Sequence, residues 1–184
     1  MTASRQNRRK VTLKPPTRES LRRAALRYLE RYASSSGNLR QVLQRRLLLA
    51  EHRGLEHDCS EADIEEIVAS LTALGLLDDR QYALDRAGAL HRRGWSRQRI
   101  QADLAKKGLD KEEVQAAFAK LREEEPDLEM AAALAFARRR RLGPFRTTAS
   151  RAEHREKDLA KLARQGFAYE TARRIIDRED GDVA

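Results

Sequence analysis

The stretch Leu104-Ala105-Lys106-Lys107-Gly108-Leu109 returns 58 residues later as Leu162-Ala163-Arg164-Gln165-Gly166-Phe167. Each copy reads as the last turn of a helix, a glycine stop and an apolar residue that folds back onto that turn. The register continues from Val114 to Ala172 and from Phe118 to Ile176. A shift of 54 extends the relation backwards, pairing Gly54 with Gly108 and Tyr28 with Tyr82. Repetition at such a period marks stacked supersecondary units. The three shared glycines are expected at positive φ, which only glycine adopts at little cost.

Working outward from these stops, the chain reads as nine helices. The first, about 20–33, puts Leu21, Ala25, Tyr28 and Tyr32 on one face and Arg23, Arg27 and Arg31 on another, and Ser34-Ser35-Ser36-Gly37 ends it. The second, about 38–53, starts at Asn38 as N-cap and carries Leu39, Val42, Leu43, Leu47 and Ala50. Ser60 with Asp63 forms a capping-box variant for the third, about 60–74, which buries Ile64, Ile67, Val68, Leu71 and Leu74. Asp78 caps the fourth, about 79–93; Ser96 caps the fifth, which ends at Gly108; Asp110 with Glu113 opens the sixth. The last three are expected at about 128–141, 153–165 and 169–178. The cap Asp110 corresponds to Ala168, so the ninth helix lacks its side-chain cap.

Grouped in threes, these helices give modules at 19–77, 78–125 and 126–184, preceded by a basic tail, 1–18, that lacks periodicity and ends in Pro15-Pro16. That tail is expected to be disordered. The expected fold is all-α: three tandem three-helix modules in an elongated, curved helical-repeat array. Each module is too small for a comfortable core of its own, so neighbours must share surface. Composition agrees, with nine aromatic residues, five Val and five Ile among 184 residues, and a bulk of Ala, Leu, Arg, Glu and Gln. No apolar run is long enough to cross a bilayer and the N-terminus has no apolar signal region, so a cytoplasmic protein is expected. The single Cys59 fits a reducing compartment.

The net charge of +9 is uneven: six bases and no acid precede Glu19, leaving +3 for residues 19–184. Gly54 to Asp79 holds eight acids and no Lys or Arg, whereas Arg138 to Arg151 holds six Arg and no acid. Such polarity points to a charged partner held in a defined orientation; solvated helix faces in an Arg-rich chain are the plainer explanation. Converging catalytic groups are missing. His52, Glu56, His57 and Cys59 crowd together, yet their spacing matches no structural zinc pattern. No phosphate-cradling loop, HExxH or G-x-S-x-G is present. Neither enzyme activity nor a cofactor or metal is expected.

Binding remains. Arg86, Arg92, Arg93, Arg97, Arg99, Lys106 and Lys107 flank the fourth and fifth helices, and Trp95 stands in the turn between them. An aromatic ring among bases suits a nucleic-acid or interface hot spot; the alternative is a plug between modules. The run Arg138, Arg139, Arg140, Arg141 is too long for one helix face and lies where the helix dipole favours cations. Arg164 belongs to the repeated stop and joins the same set.

The order of these pieces resembles the RecX family across about 20–178. The resemblance is carried by Ala25-Leu26-Arg27-Tyr28-Leu29, by Gly75-Leu76-Leu77-Asp78-Asp79-Arg80-Gln81-Tyr82-Ala83, and by His91-Arg92-Arg93-Gly94 with Lys107-Gly108-Leu109. Ala137 to Pro144, Arg155-Glu156-Lys157-Asp158-Leu159 and the Leu162 to Phe167 repeat complete it. Near the second helix the family pattern has a His that Ser36-Gly37-Asn38-Leu39 lacks. The resemblance implies a partner of the RecA filament whose three modules lie along the filament groove; a monomer is expected. It further implies inhibition of filament growth, ATP hydrolysis, strand exchange and repressor cleavage in DNA repair and the SOS response; weak non-specific DNA binding is expected from the basic tail. The other reading that the residues allow is a stand-alone helical DNA-binding protein or transcription regulator, because short helices joined by Gly turns mimic helix-turn-helix spacing.

Overall fold

Helix-stop glycines divide the chain where its repeat places them. The computed structural model describes residues 14–178, so the greater part of the expected disordered tail lies outside the described residues. Among the described residues there are nine α-helices and no strand: α1 (Arg18–Leu29), α2 (Ser36–Glu51), α3 (Glu61–Ala73), α4 (Asp79–Arg92), α5 (Arg97–Lys106), α6 (Lys111–Glu124), α7 (Leu128–Arg140), α8 (Thr148–Arg164) and α9 (Tyr169–Ile176). A 3-10 turn, Gly143–Phe145, leads from α7 into α8. Gly54, Gly108 and Gly166 have φ of +68°, +75° and +86°, as their place after a last helical turn requires.

The expected caps are in place at Ser60, Asp78, Ser96 and Asp110, and α9 starts at Tyr169 behind Ala168, which supplies no side-chain cap. Four local expectations are corrected. Helix α2 begins three residues early, because Ser35, not Asn38, takes the extended cap conformation and accepts from the Asn38 N–H at 3.2 Å. Asn38 sits inside the helix, where its amide donates to Tyr28 Oη and Ser34 Oγ, both at 2.9 Å. Helix α1 starts at Arg18 behind a Thr17–Ser20 capping box and stops at Leu29, which leaves Tyr32 57% exposed. Helix α8 starts at Thr148, five residues before the expected 153. Leu74 is 62% exposed, because the chain turns there and Leu77 takes the inward place.

Buried side chains collect in three clusters. Leu21, Leu39, Leu43, Ile64 and Leu71 centre the first; Ile100, Leu104, Val114 and Phe118 the second; Phe136, Leu142, Leu162 and Ile175 the third. Leu128, at the head of α7, packs into the middle cluster and so ties the second triplet to the third. Burial of each such side chain stabilises by about 1.5–3 kcal/mol, but each cluster holds only about a dozen residues. The joints between triplets therefore matter as much as the cores.

Those joints share one design. Ser35, the N-cap of α2, donates its hydroxyl to the Lys107 carbonyl at 2.5 Å, just before Gly108. Ser96, the N-cap of α5, donates to the Gln165 carbonyl at 2.6 Å, just before Gly166. In both cases the cap of a second helix grips the glycine-ended last turn of the second helix in the next triplet. Backbones meet closely there: a Cβ on Gly37 would lie 2.6 Å from the Gly108 Cα. Gly94 likewise backs onto α7, its virtual Cβ 2.5 Å from the Phe136 nitrogen.

Two helical glycines give opposite expectations. On propensity alone, Ala should gain about 1 kcal/mol over Gly within a helix. Gly88→Ala meets only the flexible end of Arg92 at 3.2 Å and a Leu121 methyl at 3.5 Å, so it should raise the melting temperature. Gly37→Ala meets backbone and should lower it, since overpacking costs about 1–3 kcal/mol. Thermal melts of both variants check this, and equal stabilisation by the two would refute the joint.

Candidate partner-binding surface

The α4–α5 turn owes its form to Gly94, which ends α4 at φ +76° and lets the backbone rest against α7. Arg92 and Arg93 stand exposed just before it, where the helix C-terminus favours cations. Trp95 follows, half-buried against the second cluster. The Arg99 guanidinium lies 4.0 Å from the Trp95 ring centroid and donates to Gln165 Oε1 of the third triplet. Trp95 thus packs on its own triplet, and Arg99, stacked over its ring as a cation–π partner, is what reaches the third triplet. Arg97 covers the Phe118 ring at 5.2 Å.

Because Phe136 touches Gly94, the start of the Arg138–Arg141 run lies half a helical turn from this junction. Arg138 sits over the Phe145 ring at 5.5 Å. Arg139, Arg140 and Arg141 are exposed, and Arg141 closes α7 in the left-handed region at φ +52°. Arg164, exposed, adjoins Gln165 at the same joint. Arg99 and Arg164 therefore stand at the second junction with the end of α7 near them, whereas the Arg92 guanidinium lies back along α4, its Nη1 3.2 Å from where a Cβ on Gly88 would be, and Arg93 lines a cleft with Ser34, Leu76 and Arg86. Among the described residues, Arg92, Arg93, Arg139, Arg140, Arg141 and Arg164 have no carboxylate partner.

The remaining sequence-selected residues lie elsewhere. Lys107 belongs to the first joint, where its ammonium donates to Asn38 Oδ1 at 3.0 Å. Lys106 is exposed beside it, and its carbonyl accepts from Gln41 Nε2 at 3.3 Å. Arg86 is turned inward: its guanidinium grips Asp103 with two hydrogen bonds, Nη2 to Oδ1 at 2.9 Å, and this bond holds its pKa above the ordinary value. It braces α4 on α5. The crowded His57 and Cys59 diverge, His57 lying 3.5 Å from Glu51 and Cys59 donating to the Pro16 carbonyl at 3.4 Å. No group of three metal-ligating side chains occurs among the described residues, and no helix there is long and apolar enough to cross a membrane.

Sequence reasoning missed a polar clamp that shapes the basic α7–α8 turn. Asp158, 1% exposed, accepts from Arg146 Nε at 2.6 Å and Nη2 at 2.8 Å, and from the Gly143 N–H at 3.1 Å. Burial alone would raise its pKa, but the Arg146 and Gly143 hydrogen bonds outweigh burial and hold it below the ordinary carboxylate value. The sequence offers three acids downstream of the run of bases, Glu153, Glu156 and Asp158, and helix periodicity does not say which of them turns inward. Gln165, Ser35 and Ser96 were missed as joint residues for a similar reason: a cap serine shows its own helix, not the carbonyl across the joint.

Comparison with known proteins follows the same outline. The sequence model described as RecX, second three-helix domain, matches residues 78–117. Regulatory protein RecX of Myxococcus xanthus (strain DK1622) is 40% identical over 159 residues, spanning 85% of this chain and 84% of that protein. Regulatory protein RecX of Serratia proteamaculans (strain 568) is 33% identical over 106 residues, 52% of this chain and 63% of that one. The crystal structure of RecX from Lactobacillus salivarius superposes with a TM-score of 0.62 at 22% identity, covering 90% of this chain and 96% of that one, and so shares the fold.

The Asp158 clamp generates a pH-dependent expectation. Asp158→Asn strands the Arg146 guanidinium, and breaking a buried pair costs on the order of 3 kcal/mol. A depressed carboxylate contributes its stability above its unfolded pKa and loses it as pH falls through the folded value. Urea unfolding should therefore show a large deficit for Asp158→Asn near neutrality that shrinks below about pH 4. A deficit that stays constant with pH would contradict the ionic role.

Proposed function

The chain belongs to the RecX family, and on that premise we propose that it is a non-catalytic, cytoplasmic regulator of the RecA recombinase. In this reading the monomer lies in the groove of the RecA–DNA filament. It inhibits filament growth, ATP hydrolysis, strand exchange and RecA-promoted repressor cleavage, and so restrains repair and the SOS response. Its own contact with DNA is weak and non-specific.

The observation that carries the reading is the repeated serine–carbonyl joint. It links three helix triplets in series, and exposed arginines on α4, α7 and α8 are left without a carboxylate partner among the described residues. A long surface with bases at fixed spacing suits a helical polymer of protein and DNA better than a small molecule, because phosphate contacts position while side chains on a rigid scaffold specify.

The stand-alone helix-turn-helix reading fares worse at α5. A recognition helix presents its N-terminal residues to base edges. Here Ser96 and Arg99 are both spent on Gln165 of the third triplet.

Titration against the cognate RecA tests the proposal. Substoichiometric protein should lower DNA-dependent ATP hydrolysis, and no effect at any ratio by folded protein would sink it. Arg92→Glu/Arg93→Glu or Arg139→Glu/Arg140→Glu should require roughly tenfold more protein for the same inhibition, equivalent to weakening the complex by about 1.4 kcal/mol, with an unchanged melt. Full inhibition by both variants would remove these arginines from the interface.

A further inference from the structure

A second basic site lies away from both joints, in the groove between α1 and α2. The cavity has a volume of about 420 Å³ and is walled by Arg27, Arg31, Arg45 and Arg46, with the Tyr28 and Tyr32 rings beside them. No carboxylate lines it. Among the described residues none of these four guanidinium groups has an ion-pair or hydrogen-bond partner. Their neighbours on the same helices are treated differently: Arg23 pairs with Glu19, and Arg40 with Glu65. Four like charges held together without a counter-charge repel one another, so an anion that enters the groove meets four unused donor forks.

The tyrosines differ in freedom. Tyr28 is half-buried and its hydroxyl accepts from Asn38, which fixes its ring. Tyr32 stands just past the end of α1, 57% exposed, its ring centroid 5.2 Å from that of Tyr28 at an angle of 42°. Tyr28 thus supports one face of Tyr32 and leaves the other open. Exposed Leu49 adds apolar surface to the same groove.

We infer that the α1–α2 groove is a single-stranded nucleic-acid site, with Arg27, Arg31, Arg45 and Arg46 on the phosphates and a base stacked on Tyr32. A supported aromatic face beside several arginines is the arrangement by which proteins hold unpaired strands without reading sequence. An acidic peptide would use the arginines and leave the tyrosine idle; a duplex would offer no unstacked base. The inference rests on the DNA-contact clause of the reading above and is independent of filament inhibition. It also places that contact in the first triplet, apart from the arginines at the second joint.

Fluorescence anisotropy of a labelled thymidine oligonucleotide, titrated with the full chain, tests it. Arg31→Glu/Arg46→Glu should weaken binding at least tenfold with an unchanged melt. The salt slope should fall by about 1.4, roughly 0.7 for each of two phosphates no longer neutralised on a single strand. Tyr32→Ala should weaken binding several-fold, and Tyr32→Phe should retain it, because the ring face and not the hydroxyl does the stacking. Undiminished binding by the arginine variant would overturn the site, as would equal competition by a polyglutamate peptide at matched charge. If the wild-type chain binds no oligonucleotide, the DNA-contact clause falls with it, while the ATP-hydrolysis titration still decides filament inhibition by itself.

Discussion

A serine hydroxyl has one proton to give and two lone pairs with which to accept, and the two joint serines use both roles at once. Ser35 Oγ accepts from the Asn38 N–H and donates to the Lys107 carbonyl. Ser96 Oγ accepts from the Arg99 N–H and donates to the Gln165 carbonyl. One atom therefore caps the start of a helix and fastens it to the next triplet. Both serines are fully buried, so neither bond exchanges cheaply with water, and a carbonyl left unpaired there would carry its full desolvation cost. The glycines after those carbonyls supply the left-handed stop that turns the carbonyl outward, and Gly37 allows the backbones to touch.

Everything else in the molecule leans on that arrangement. Three clusters of modest size gain stability by sharing surface, as stacked repeats must, and the joints set how they share it. Because the joints consume backbone carbonyls and small polar side chains, they leave the long basic side chains outside. Arg99 and Lys107 are the exceptions: each reaches across a joint, to Gln165 and to Asn38. Among the remaining arginines are braces, such as Arg86 on Asp103 and Arg146 on Asp158, exposed pairs within one helix, such as Arg23 with Glu19, and exposed groups such as Arg139 and Arg140 with no carboxylate partner among the described residues. The braces tie helix to helix, and under the proposed function the exposed groups are the ones that face the partner.

Much of this was legible in the chain. The glycine-stopped repeat at 104–109 and 162–167 led to helix triplets, because glycine after an apolar-periodic run has one cheap conformation, and Gly108 and Gly166 adopt it. Ser60, Asp78, Ser96 and Asp110 were readable as caps for the same local reason. Asn38 misled, since two good capping residues stood three apart and only tertiary contacts with Tyr28 and Lys107 decide between them. Tyr32 and Leu74 misled through periodicity carried past the helix ends. For the binding surface, charge counting found the bases but not their partners: Arg86 and Arg93 look alike in sequence, and Asp103 separates them. The α1–α2 groove was visible only as a stripe of Arg23, Arg27 and Arg31, because its other wall comes from α2.

The claim on which the rest hangs is that the joints hold the triplets in one relative orientation. Spin labels at Ala73→Cys on α3 and Ala160→Cys on α8, both exposed sites, in a Cys59→Ser background, report it directly through their distance distribution in solution. Rigid joints predict a single narrow distribution that broadens when Ser35 and Ser96 are both replaced by Ala. A broad distribution in the chain with both serines intact would contradict it.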